Sequence, residues 1–397
     1  MRASLSHLIS SSECEKCIRI RDAPGSGLLS IATIANNPRI LLEHQQLNMI
    51  GLKEKPQYVA IDPNFKPLPK YGHLSEKTPE LLEVEGAIGA AYEQLWALPD
   101  IPTFRQAAGD SDAAMPPGGP DRYREVKTEL LRFPARDGHL IELKVYKSPN
   151  VAADATLVYR MHGGGFCVGR HEVDGAENVY AATNPDIVVV SVDYRLAPEN
   201  PFPKPVEDCY DGLLWCKENA KTLGINPEKI IVAGSSAGAS LAAVLTIMAR
   251  DDGVSGIIAQ VLHFPSLCHP KFLPYDKYEF GSYIQNVENC VLSLCKFEVF
   301  LNSYVPNPTP DYRHSPLLAS SLAGLPPALI QSAGVDIFRD SCFAYADALK
   351  AAGVDAEMYC YGGVPHCFPA VIMTHPHTPV FYERYNAFLK KHATSSN

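Results

Sequence analysis

Gly234-Ser235-Ser236-Ala237-Gly238 constrains this chain more than any other five residues in it. The pattern is G-x-S-x-G, a strand-to-helix turn that lifts the central serine hydroxyl clear of a sheet. Its surroundings supply both sides of such a turn. Lys229-Ile230-Ile231-Val232-Ala233 is a short β-branched run and reads as a buried parallel strand. The residues from Ala237 to Arg250 are small and apolar and read as a buried helix, whose N-terminus points its positive dipole end at Ser236. A phosphate loop would need G-x-x-x-x-G-K-[ST] or G-x-G-x-x-G, and the turn matches neither.

A second glycine segment, Met161-His162-Gly163-Gly164-Gly165-Phe166, follows the strand-like run Ala155–Met161. Three glycines let the backbone aim its N–H groups at an oxygen that gains negative charge during acyl transfer. A serine nucleophile also needs a base, and the base needs an orienting acid. Downstream histidines are His263, His269, His314, His366, His375, His377 and His392. His366 stands out because it closes the turn Gly362-Gly363-Val364-Pro365 after the alternating strand Val354–Tyr361. For the acid, Asp336 lies two residues past the glycine that ends the run Pro327–Gly334. Asp340 is its rival, but it opens the next helix and reads first as a helix N-terminal carboxylate, whose loss would cost about 1 kcal/mol or less.

Taken in order, the segments are HGGGF; Asp193-Tyr194-Arg195-Leu196-Ala197-Pro198-Glu199 with Pro201-Phe202-Pro203; GxSAG; Ser315-Pro316-Leu317; Leu325-Pro326-Pro327-Ala328; Gly334 to Asp340; and His366-x-Phe368. This set resembles the hormone-sensitive-lipase-like branch of the α/β-hydrolases, mostly carboxylesterases, from about Tyr123 to Lys391. The resemblance implies Ser236 as nucleophile, Asp336 as acid and His366 as base, with oxyanion donors at the N–H groups of Gly164, Gly165 and Ala237. It treats Asp193, Arg195 and Glu199 as scaffold. Two positions depart from the family pattern: Ser235 stands where an acid or threonine is usual, and Cys367 where glycine is usual.

Paired strands at about 126–134 and 140–147 precede six more, at about 156–161, 187–192, 230–233, 257–263, 327–332 and 355–361, alternating with helices. This alternation predicts an α/β class with a mostly parallel eight-stranded sheet and helices on both faces. The resemblance implies that it is an α/β-hydrolase fold and that N-terminal helices and an insertion form a helical cap over it. Residues 1–110 read as an N-terminal extension with cap helices, including one from about Thr78 to Ala97. Residues 120–397 read as the hydrolase domain, with a cap insertion at about 268–304, and the stretch from Gly109 to Pro120 reads as a linker. The insertion holds Phe272, Tyr275, Tyr278, Phe280, Tyr283, Phe297, Phe300 and Tyr304. Some of these would wall an apolar cleft, and most would only pack the insertion onto the sheet.

With 397 residues and 46% hydrophobic composition, one hydrolase domain plus an accessory region fits better than two full domains. A net charge of −9 argues against a nucleic-acid partner. No stretch approaches roughly 18 apolar residues, so no membrane span is expected. The first ten residues lack the apolar core of a secretory signal. Eleven scattered cysteines suit free thiols in a reducing, cytoplasmic setting, and a lone Cys14-x-x-Cys17 does not argue for zinc. No cofactor or metal is expected. The partner is a small ester, and the chain is expected to be a monomer or homodimer. The expected function is serine-hydrolase cleavage of small to medium soluble carboxylic esters. Acyl transfer, or lactone, thioester or amide hydrolysis, would use the same triad, and a ligand-binding receptor on this fold is the remaining alternative.

Overall fold

Alternating side chains along the central strands divide between two cores. Leu157, Tyr159 and Met161 join one apolar cluster, while Val158 joins the other, because successive strand residues point to opposite sides of a sheet. Both clusters need helices to cover them. The first packs against the helices Lys204–Glu218, Ala237–Asp251 and Arg339–Ala351, and the second against Gly175–Ala182 and His377–Ala393. In this computed structural model, which describes residues 50–394 except 69, 110 and 111, the result is a single eight-stranded sheet. Expectations for residues 1–49, the Cys14-x-x-Cys17 pair and the absence of a signal among them, lie outside the described residues.

The strands are β1 (Lys127–Pro134), β2 (Leu140–Lys147), β3 (Ala155–Met161), β4 (Ile187–Asp193), β5 (Ile225–Ser235), β6 (Ile257–His263), β7 (Ala328–Val335) and β8 (Ala356–Pro365). Their order is β1-β2-β4-β3-β5-β6-β7-β8. Only β2 runs against the rest, pairing antiparallel with β1 and β4. β3, β4 and β7 are buried almost throughout, as parallel strands covered on both faces must be, whereas β1 at the edge is largely exposed. Expected strand positions agree within a few residues. β5 starts earlier, at Ile225, because a single bridge to Ala155 precedes a bulge that spans the turn-like Asn226-Pro227-Glu228.

The helix expected near Thr78 is Pro79–Trp96, with the Thr78 hydroxyl accepting from the Leu81 N–H at 3.3 Å. A second helix, Ile101–Ala108, was not anticipated. Asp100 caps it by accepting from the Thr103 N–H at 2.7 Å, and Pro102 lies in its first turn, so a start signal was present. The linker-like stretch holds no helix or strand from Asp112 to Pro120, yet it is pinned: the Ala113 N–H donates to the Glu172 carbonyl and Asp112 pairs with Arg122. Among the described residues no helix is long and apolar enough to cross a membrane, and nine cysteines are free thiols.

Asp340 does more than charge a helix end. Its carboxylate is buried, accepting from Arg339 Nε at 2.8 Å and from the Ser282 N–H at 2.7 Å, so it fastens the 268–304 insertion to the helix after β7. Removing one charge of a buried pair strands the other. Asp340→Asn is therefore expected to lower unfolding stability by about 3 kcal/mol, more than a surface helix-end charge would. A urea melt checks this, and a loss under 1 kcal/mol would return Asp340 to the simpler role.

Candidate active site

Four parallel strands end at one edge of the sheet, and the residue after each end is one the sequence singles out. His162 follows β3, Ser236 follows β5, Asp336 follows β7 and His366 follows β8. Ligand sites of open α/β sheets lie at this carboxyl edge.

Ser236 has φ 52° and ψ −118°, outside the comfortable range of a side-chain-bearing residue, which costs on the order of 1–3 kcal/mol. Bonds on both sides hold it there: its N–H donates to the His263 carbonyl at 2.7 Å, and its carbonyl accepts from the Ser240 N–H at 3.1 Å. The flanking glycines are needed for close approach. A Cβ on Gly234 would lie 2.3 Å from the Gly238 carbonyl carbon, and one on Gly238 would lie 2.0 Å from the Met161 oxygen.

The Ser236 hydroxyl lies 2.9 Å from His366 Nε2, and His366 Nδ1 lies 2.7 Å from Asp336 Oδ2. An ionised carboxylate can only accept, so Nδ1 carries the proton and Nε2 is left to accept from the serine. The other Asp336 oxygen accepts from the Phe338 N–H at 3.0 Å, and Asn286 Nδ2 donates to the Asp336 carbonyl at 2.9 Å. Burial alone would push the His366 imidazole down, but the Asp336 carboxylate outweighs it and holds the ring well above its ordinary value. Asp340 is not in this line.

Beside the serine, Gly164 (φ 119°) and Gly165 (φ 60°) turn the backbone through conformations other residues resist. Neither N–H meets an acceptor among the described residues, and Ala237 is the first residue of its helix, where the N–H has no intrahelical partner. His162 is buried behind them, stacked on Tyr194 with centroids 4.3 Å apart, while the Tyr194 hydroxyl donates to its carbonyl at 2.8 Å. Its role is to shape the loop. Arg195 is likewise bound within the scaffold, to Asp208 at 2.6 Å and Asp137 at 2.8 Å; Glu199 pairs with Arg105 and Asp193 with Arg170.

A cavity of about 310 Å³ opens on Ser236 and His366. Tyr92 and Trp96 line it from Pro79–Trp96, Phe104 from Ile101–Ala108, and Phe297 and Phe300 from Leu294–Tyr304. Trp96, Phe104 and Phe300 meet with centroids 4.9–5.8 Å apart, tying the three helices together. Of the eight insertion aromatics only Phe297 and Phe300 line the cavity; Tyr283 and Tyr304 are buried elsewhere, and Tyr275 is exposed. The sequence reading did not find Phe104, whose helix it lacked, nor Glu177, which also lines the cavity.

Residues 157–370 match the family described by its alpha/beta hydrolase fold. The chain belongs to that family. Carboxylesterase NlhH of Mycobacterium tuberculosis is 36% identical over 254 residues, covering 60% of this chain and 77% of NlhH. Esterase LipI of the same organism is 32% identical over 311 residues, covering 77% of this chain and 86% of LipI. Among solved structures, a thermostable esterase from Pseudomonas putida superposes with a TM-score of 0.69 at 26% identity, over 81% of this chain and all of that one. With these relatives and its HGGG and GxSAG segments, this α/β hydrolase falls in the hormone-sensitive-lipase-like carboxylesterase branch.

Proposed function

We propose that the protein is a carboxylic ester hydrolase working through an acyl-enzyme on Ser236. The observation that carries this reading is the hydrogen-bonded line Ser236–His366–Asp336 opening into an apolar cavity. Esterase relatives support it independently. Ser236 Oγ attacks the ester carbonyl carbon while His366 Nε2 takes its proton, and Asp336 stabilises the imidazolium that results. The oxyanion rests on the N–H groups of Gly164, Gly165 and Ala237, each donor worth about 3 kcal/mol. The alcohol leaves with the proton from His366. Water, deprotonated by the same imidazole, then attacks the acyl carbon and frees the acid.

The helices Pro79–Trp96, Ile101–Ala108 and Leu294–Tyr304 act as a cap that excludes water, which strengthens the interactions beneath it. A cavity of about 310 Å³ lies at the small end of ligand sites. Short to medium acyl groups are therefore expected, with kcat/KM falling beyond them. The check is a series of p-nitrophenyl esters from acetate to palmitate, with and without emulsified substrate. A maximum at palmitate, or a jump in rate once droplets form, would make the cap a lipase lid and overturn the small-ester reading.

A further inference from the structure

Asp174 and Glu177 stand three residues apart at the start of the helix Gly175–Ala182, and both line the cavity that holds Ser236. Asp174 is partnered. Its Oδ2 accepts from Arg160 Nη2 at 3.0 Å, and both side chains are buried. The same guanidinium spends its other contacts on the Ser235 hydroxyl at 3.4 Å and the Tyr385 hydroxyl at 3.1 Å. Ser235, the departure from the family pattern beside the nucleophile, thus rests on this buried charge cluster.

Glu177 has no comparable partner. It is only 9% exposed, yet among the described residues no other residue donates a hydrogen bond to its carboxyl group. Among the described residues no lysine or arginine lines the cavity, so one guanidinium serves two carboxyls. Burial, reinforced by Asp174 and opposed by Arg160, pushes the Glu177 carboxyl up to about 7. Burial keeps such a carboxyl protonated unless a cation enters the cavity to pair with it. The aromatic rings of Tyr92, Trp96 and Phe104 on the cavity wall would tolerate one, since a ring face attracts an ammonium.

We propose that the substrate brings the missing charge: the cavity takes esters carrying an ammonium group, which pairs with Glu177 while Ser236 meets the carbonyl. Glu177 is then a specificity-determining residue. This rests on the esterase reading above. Two matched ester pairs test it: dimethylaminoethyl butyrate against isopentyl butyrate, and methyl dimethylaminobutyrate against methyl methylhexanoate, with acid release followed by pH-stat. Each pair exchanges a cationic nitrogen for a neutral CH of the same shape, on the alcohol side or the acyl side. The wild-type protein should favour the amine member of one pair in kcat/KM, and Glu177→Gln and Glu177→Leu should each reduce that ratio about tenfold or more. An equal ratio in wild type and both variants, or no amine preference in wild type, overturns the proposal. Turnover of the neutral members by wild type reads the esterase activity separately, so the two readings fail in different columns of the same experiment.

Discussion

Ser236→Ala is expected to reduce hydrolysis of p-nitrophenyl acetate by a factor on the order of 10⁶, leaving only what binding and the oxyanion donors contribute. The size follows from geometry. Ser236 Oγ is the hydroxyl held 2.9 Å from His366 Nε2, on a backbone strained to present it. Ser235→Ala is the matched control. The Ser235 hydroxyl accepts from Arg160 at 3.4 Å and makes no hydrogen bond to His366, so substantial activity should remain. Activity surviving Ser236→Ala, or vanishing with Ser235→Ala, would exchange the two serines.

Asp336→Asn is expected to lower kcat by up to about 10⁴ with the fold intact. An amide at this place can donate to Nδ1, which favours the tautomer with its proton on Nε2, where it cannot accept from Ser236. The imidazolium formed during attack also loses its counter-charge, 2.7 Å away. Near-native kcat in a folded Asp336→Asn variant would remove Asp336 from the reaction. Circular dichroism and a urea melt establish that the variant is folded. The contrast with Asp340→Asn is then direct, since that change should move the melt far more than kcat.

Much of this architecture was legible because parallel strands and tight glycine-flanked turns leave strong local marks. β3, β4, β7 and residues 230–233 of β5 are β-branched or apolar runs too short for helices, and each is punctuated by glycine or an acid. Ser236 and the glycines beside it are specified by a turn that permits few other residues. Asp336 and His366 were reached through their place after strands, although both strands run further than expected. β8 takes in residues 362–365, read as a turn, and β7 continues to Val335, so each strand ends one residue before its candidate.

What escaped depends on contacts distant in sequence. The helix Ile101–Ala108 is short, and its start signal at Asp100 was overshadowed by the glycine- and proline-rich stretch that follows. Its value lies in Phe104 reaching Trp96 and Phe300, which no local pattern records. Asp340 has the spacing of a helix-end acid, and only the fold brings Ser282 against it. Glu177 looks like any first-turn carboxylate of a helix. That it faces a cavity without a partner is a property of the packed molecule. Among the insertion aromatics, composition could say that some wall a cleft but could not choose Phe297 and Phe300 from eight.

The most direct test of the central claim is active-site labelling of the wild-type protein with an alkyl fluorophosphonate, followed by peptide mapping. The reagent forms a stable bond only with a serine activated by a base and an oxyanion site. One adduct per chain, on Ser236, with esterase activity lost in proportion, is the predicted result. An adduct on Ser235 or any other serine, or full inhibition with Ser236 unmodified, would contradict the assignment of this turn as the nucleophile.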